Sequence, residues 1–364
     1  MSTTDHPDEP TADAFADRLF ASALGAFETL SVHVGDRLDW YRILADRSAL
    51  TSVELAQAAG TGERYTREWL EQQAVSGILE VDDEAAEASD RRYSLPPAHA
   101  EVLTDDRSLA YLAPIARIIA SAAVQVPALL DAVRAGGGVA WERFGADMRD
   151  AQGDVNRPWF EHRLAGALAN VPELDAILRR PGARIVDVGC GHGWSTIALA
   201  RAYPDAHVDG VDVDAPSIEA ARAHAEEAGL SDRVTFRLGG GEALADDGTY
   251  DAGFVFEALH DMPRPVEVLS ALRRAVRDDG AVVIMDEAVA ERFAPDGDDV
   301  ERIMYGYSLF ICLPDSLSTP GSVGTGTVMR PAVLERYARD AGFSGAEALP
   351  IEDFASFRFT RLRT

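Results

Sequence analysis

The chain has 364 residues, 47% of them hydrophobic and 26% charged, which is the composition of a globular protein long enough for two cores. Its formal net charge is −27 and all 34 basic residues are arginines, so its surface repels phosphate backbones and anionic membranes. Two cysteines, Cys190 and Cys312, exclude a disulfide framework beyond one bridge and fit a reduced cytoplasm.

Residues 1–12 read as a disordered tail. Met1 to Pro10 is acidic and polar, without the basic start and apolar run of a secretion signal. Residues 13–105 read as a mainly helical winged-helix domain. Phe15, Leu19, Phe20, Leu24 and Phe27 recur on a helical period. Thr51 and Glu54 have capping-box spacing, and Gly60-Thr61-Gly62 supplies a turn. A helix from about Glu63 to Val75 is expected to bury Tyr65, Trp69 and Leu70. Ile78–Val81 and Arg92–Leu95 then form the two strands of a wing.

Residues 106–172 read as a helical connector or lid, broken at Gly136-Gly137-Gly138. Its apolar stretch Leu109–Val133 contains Arg117, Pro114 and Pro127, which predicts a buried helical hairpin rather than a membrane span. From residue 173 to 364, apolar strands alternate with helices. The expected strands are Arg184–Gly189, His207–Asp212, Val234–Leu238, Ala252–Glu257 and Ala281–Asp286; the helices between them include Trp194–Ala202, Ala215–Ala228 and Pro265–Val276. Such alternation predicts an α/β domain whose parallel sheet is covered on both faces. Ala346–Ile351 and Ser356–Leu362 are expected to close one edge.

Ile185-Val186-Asp187-Val188-Gly189-Cys190-Gly191-His192-Gly193 ends the first strand in a glycine loop. Ligands of an open parallel sheet sit beyond the carboxyl ends of its strands, where strand order reverses. Glycine lets the backbone turn tightly there and approach the ligand. The helix starting near Trp194 aims free N–H groups at a carboxylate. A dinucleotide fingerprint needs glycine three positions after Gly191, and Trp194 stands there instead. Asp212 ends the second strand and can accept both hydroxyls of a ribose. Asp187 and Glu257, at the ends of the first and fourth strands, complete the expected cofactor set.

Together with Tyr250-Asp251, Leu259-His260-Asp261-Met262 and Asp278-Asp279-Gly280, these features make the region from about 183 to 364 resemble a class I S-adenosylmethionine-dependent methyltransferase. With the winged helix, the whole chain is similar to bacterial and archaeal enzymes related to small-molecule O-methyltransferases. The resemblance implies a Rossmann-like seven-stranded sheet with its last strand antiparallel. It also implies that Gly189, Gly191 and Gly193 surround the methionine part of S-adenosylmethionine, and that Asp212 binds its ribose. The sequence departs from the family after the third strand, where Leu238-Gly239-Gly240-Gly241-Glu242 has glycine in place of the usual acid for adenine. That leaves the backbone of Gly240 or Gly241, or Glu242 reaching round, to hold the base.

Methyl transfer from a sulfonium is an in-line displacement, so the acceptor must be positioned and water excluded. A phenolic acceptor, with a pKa of about 10, gains from a general base. The resemblance assigns that role to His260, with Asp286 and Glu287 on the neighbouring strand placed to orient the ring. Asp261, adjacent in sequence, need not face the same way. Packing in the cleft or capping of the next helix is the alternative for His260. Trp159, Phe160, Met304, Tyr305 and Tyr307, with Phe310, suggest the wall of a pocket for a hydrophobic, aromatic, hydroxylated molecule, although core packing accounts for any one of them alone. Thr325-Gly326-Thr327 is a candidate rim. No histidine shows metal-ligand spacing, so S-adenosylmethionine is the only cofactor expected.

A winged helix can serve DNA binding or dimerisation. Residues 1–105 hold twenty-one Asp or Glu against eight Arg, and Glu63, Glu68 and Glu71 sit on the would-be recognition helix. Phosphate contact would be repulsive. The resemblance and the apolar first helix favour a cytoplasmic homodimer. A regulator sensing S-adenosylmethionine or S-adenosylhomocysteine, or a C- or N-methyltransferase, are the alternative functions.

Overall fold

The computed structural model describes residues 11–244 and 249–364. The expected N-terminal tail lies almost wholly outside them; at its end, Thr11 already caps a helix by accepting from the Ala14 N–H. The chain divides into two compact units, one up to Ala120 and one from Ser121 onward.

The first unit opens with helix Ala12–Arg37, followed by Trp40–Asp46, Ser52–Ala59 and Glu63–Val75. The Thr51–Glu54 capping box is present in both directions, worth roughly 1 kcal/mol to a helix of this length. The wing is reduced to β1 (Glu80–Val81) and β2 (Tyr93–Ser94), paired antiparallel. Trp40, Tyr41 and Trp69 form the centre of the core, with ring centroids 4.7 and 5.1 Å apart. One expectation fails here: Tyr65 is 82% exposed. The buried stripe of its helix runs through Thr66, Trp69, Leu70 and Gln73, and Tyr65 is turned out of it.

The apolar stretch after residue 109 becomes two helices, Ala113–Val124 and Val126–Ala135, the second ending at Gly136. Its burial is partial. Ala113, Ala116, Ile118 and Leu129 are buried, while Val124, Leu130 and Val133 are exposed. Among the described residues no single helix is long and apolar enough to cross a membrane.

The second unit is built on β3 (Arg184–Val188), β4 (His207–Asp212), β5 (Val234–Leu238), β6 (Tyr250–Phe256), β7 (Val276–Glu287), β8 (Gly345–Ala348) and β9 (Phe357–Arg363), in the order β5-β4-β3-β6-β7-β9-β8. Neighbours from β5 to β7 are parallel, and β9 runs antiparallel to both β7 and β8. β7 starts five residues earlier than expected, because Asp278-Asp279-Gly280 is an irregularity within the strand rather than a turn before it. β3, β6 and β7 are apolar on both faces, since helices cover each side. The connections of β3 lead to β4 on one side while β6 lies on the other, so the ends of β3, β4 and β6 flank the point where strand order reverses.

Candidate active site

The glycine loop follows β3. Gly189, Gly191 and Gly193 have φ angles of 78, 48 and 80°, in the left-handed region. Their roles differ. A Cβ on Gly189 would lie 2.5 Å from Ala258 Cβ, and one on Gly193 would lie 2.6 Å from the Phe236 ring. Packing therefore fixes these two. Nothing lies within 4 Å of a Cβ on Gly191, so Gly191 borders open space. Asp212 ties the loop to β4: its Oδ2 accepts from the Gly191 N–H and its Oδ1 from the Asp214 N–H, both at 2.8 Å. Burial raises the Asp212 carboxyl above its ordinary range against those bonds.

Helix Trp194–Ala202 begins at Gly193 with no side-chain cap, which leaves first-turn N–H groups for an anion. The Ser195 and Thr196 hydroxyls turn instead to Asp187, each donating to Oδ2 at 2.6 Å. Asp187 is wholly buried, and burial pushes its carboxyl up to about 6. Its Oδ1 is buried with no hydrogen-bond partner. An orphaned carboxylate oxygen is costly unless a donor or cation comes to it. The loop thus fits an α-amino acid, with Asp187 Oδ1 for the ammonium and the helix terminus for the carboxylate. After β5, a Cβ on Gly241 would strike Val188 at 2.5 Å, so that glycine serves packing. The Glu242 carboxylate folds against Gly240, returning an acid to the place where the sequence lacks one.

β6 runs into Glu257, a non-glycine residue with φ of 49°. Its carboxylate accepts from Asn156 Nδ2, and burial pushes it up to about 7. Asn156 lies on helix Gly145–Trp159, which touches the loops in series along one face. Arg149 pairs with Asp214, Gly153 sits against the His192 ring, and Arg157 stacks over Trp194 at 4.3 Å. Sequence reasoning missed Arg149 and Asn156; their spacing of seven on one helix was the only available signal.

His260 is 2% exposed. Its Nδ1 lies 2.7 Å from Asp286 Oδ1 and 3.3 Å from Glu287 Oε2, so the expected orienting acids are both in place. Asp261, whose direction the sequence left open, faces the ring: its Oδ1 is 3.3 Å from Nε2. Burial opposes a charge on His260, yet the surrounding carboxylates of Asp261, Asp286 and Glu287 outweigh it and raise the imidazole well above 6.5. Burial lifts Glu287 as well, whereas the His260 charge holds Asp286 below the ordinary range despite its burial. The Gly326 N–H donates to the His260 carbonyl at 3.2 Å, so the expected rim Thr325-Gly326-Thr327 braces the histidine from behind.

The aromatic residues separate. Phe160 is core, with its ring 5.5 Å from Phe256, and Trp159 packs 5.8 Å from Phe354. Tyr305 is exposed, and its hydroxyl accepts from Arg330. Tyr307 remains near it: burial and the Glu257 charge push its phenol up to about 12. Met304 is buried on the same helix, Asp299–Tyr307. The fold also assembles two groups that could hold a metal ion, His260 with Asp261 and Cys312, and His260 with Asp286 and Glu287, which the linear spacing did not reveal.

Residues 179–307 match the family model of a methyltransferase domain. This segment is a methyltransferase domain. Residues 26–105 match an Rv2258c-like winged HTH domain. Over 166 residues the chain is 33% identical to a ubiquinone biosynthesis O-methyltransferase of Methylococcus capsulatus, covering 44% of the chain and 63% of that relative. The chain thus spans less than two thirds of that relative's length. Its fold is that of solved S-adenosylmethionine-dependent methyltransferases. The mitomycin 7-O-methyltransferase superposes with a TM-score of 0.69 at 21% identity, over 97% of this chain and 98% of that one. Human N-acetylserotonin methyltransferase, solved with S-adenosylmethionine, gives 0.70 at 16% identity over 100% and 99%.

Proposed function

We propose that the protein transfers a methyl group from S-adenosylmethionine to a hydroxyl of a small, hydrophobic and aromatic molecule. The observation that carries this reading is the buried His260–Asp286 pair, 2.7 Å apart, with His260 in the loop after β6 and Asp286 near the end of the neighbouring β7. When bound, S-adenosylmethionine supplies an electrophilic methyl on a sulfonium. Asp187 would hold its ammonium, the N-terminus of helix Trp194–Ala202 its carboxylate, and Asp212 its ribose; Glu242 and the backbone of Gly240 stand nearest the place expected for adenine. Asp286 accepts from Nδ1 of His260, which turns Nε2 toward the acceptor as the atom that takes the hydroxyl proton. Met304 and Tyr307 supply the wall. Trp159 and Phe160 support it from the core.

Likeness of the methyltransferase domain to relatives named as O-methyltransferases supports the choice of oxygen. For the winged helix the proposal is a homodimer contact rather than DNA binding. Arg64 and Arg67 on helix Glu63–Val75 are already paired with Glu68 and Glu63 of the same helix, leaving little positive field for phosphate.

The test is a screen of phenols, catechols and hydroxylated secondary metabolites with methyl-labelled cofactor, then His260→Ala on the acceptor found. Turnover should fall about 10²- to 10⁴-fold with S-adenosylhomocysteine affinity kept. Unchanged turnover removes the base, and label on carbon or nitrogen overturns the choice of oxygen.

A further inference from the structure

We propose that His260, Asp261 and Cys312 form a binding site for a thiophilic divalent cation such as Zn²⁺. One ligand atom from each lies within 4.8 Å of the others. Thiolate, imidazole and carboxylate are together a zinc donor set, and three protein ligands leave a fourth position open. The spacing is informative. His260 Nε2 and Asp261 Oδ1 are 3.3 Å apart. Two ligands each about 2.05 Å from a tetrahedral ion stand roughly 3.3 Å from one another. The contact is an ion pair rather than a hydrogen bond, and the Cys312 thiol reaches the same carboxylate.

The surroundings are those of a ligand set held in place. Histidines that bind metal donate their other ring N–H to a carboxylate, and the His260 Nδ1–Asp286 contact of 2.7 Å supplies this. Cys312 sits on the turn Ser308–Cys312 and has no disulfide partner. Thr327 is almost wholly buried, and its hydroxyl lies against the thiol. The carboxyls of Glu257, Asp261, Asp286 and Glu287 crowd round one imidazole; burial raises those of Glu257, Asp261 and Glu287, and a dication would favour their ionised forms. Binding releases the thiol proton and, from the imidazolium, the Nε2 proton, and it occupies the Nε2 lone pair. That consequence rests on the methyl-transfer reading: a metal there competes with deprotonation of the acceptor, so Zn²⁺ inhibits. The binding itself stands apart from it.

The experiment titrates the full-length protein with Co²⁺ as a spectroscopic probe and with Zn²⁺ against a chelating indicator. One Co²⁺ per chain is expected, with a thiolate-to-cobalt charge-transfer band in the near ultraviolet that Zn²⁺ displaces and Mg²⁺ does not. Cys312→Ser and His260→Ala should lose the band, while Cys190→Ser keeps it; far-ultraviolet circular dichroism checks that each variant is folded. Absence of the band in the wild type, or its survival in Cys312→Ser, overturns the site. If the band appears as expected but Zn²⁺ leaves turnover unchanged, the metal site stands and the role of Nε2 as base falls.

Discussion

Arg149 Nε and Asp214 Oδ2 lie 2.8 Å apart, with both side chains only 12% exposed. Asp214 also caps helix Ala215–Glu227 at Ser217, and its N–H is held by Asp212. One arginine therefore fixes the turn that holds Asp212, the acid proposed for ribose, and it does so from the helix that also reaches Glu257 through Asn156. Arg149→Ala should weaken S-adenosylhomocysteine about tenfold, ~1.4 kcal/mol, by calorimetry. An unchanged Kd would mean that Asp212 is held without the latch.

Asp187 carries a cost that the cofactor should relieve. With its carboxyl raised to about 6 from 3.8, the folded chain binds the proton more tightly than the unfolded one. Stability without cofactor should therefore fall as pH rises from about 4 to 6, by at most ~3 kcal/mol. Asp187→Asn should flatten this slope and raise the melting temperature at pH 7, while abolishing cofactor binding. A variant that melts lower and still binds S-adenosylhomocysteine would show that the orphaned oxygen faces no ammonium.

The two flanking kinds of glycine should separate in the same assays. Gly189→Ala meets both a left-handed φ and Ala258, so it should lose 2 kcal/mol or more, on the order of a small core overpacking plus backbone strain. Gly191→Ala pays only for its φ, about 1–2 kcal/mol, yet puts a methyl where the ligand approaches. Urea melts and cofactor titrations should rank the pair oppositely. Equal losses in both assays would deny Gly191 its place against the ligand.

How much of this was legible follows from what kind of contact each residue makes. Strand and helix periods placed the sheet, because β3, β4 and β5 bury apolar side chains at short range from their own turns. Gly189 and Asp212 could be proposed from their positions at strand ends, whereas His260, in the loop after β6, was singled out by the family resemblance. Asn156, Arg149 and Cys312 were not: they reach the site from helices 101, 65 and 52 residues away in sequence from Glu257, Asp214 and His260, and nothing local marks them. Aromatic character misled for the same reason. It cannot distinguish Phe160, which packs on Phe354, from Tyr307, which nears Glu257.

The histidine's surroundings set a pH dependence. Its raised pKa means that the imidazolium persists above the usual range of 6.5. The charged cluster therefore stabilises the fold fully below pH 6.5, and the contribution is lost as pH climbs through the higher folded-state value. For turnover the sign is opposite, because a base must be free of its proton. The ascending limb of kcat should lie above pH 6.5, and Asp261→Asn, which removes one carboxylate from Nε2, should move it to lower pH. A limb unmoved by Asp261→Asn would mean that another group titrates in that profile.

The first helix presents an apolar face with no cover inside its own unit: Phe15, Leu19, Phe20, Leu24 and Phe27 are all at least half exposed. Five such side chains on one helix far exceed the scattered apolar residues of a monomer's surface. Burial against a second copy would remove each from water at about 1.5–3 kcal/mol per side chain. Leu19→Asp with Phe27→Asp should convert a dimer to a monomer in light scattering coupled to gel filtration. The Trp40–Tyr41–Trp69 core does not involve either residue, so near-ultraviolet circular dichroism of the aromatic cluster should persist. A wild-type chain that elutes as a monomer at micromolar concentration would sink the dimer proposal outright, and a double variant that remains dimeric would move the interface to another face.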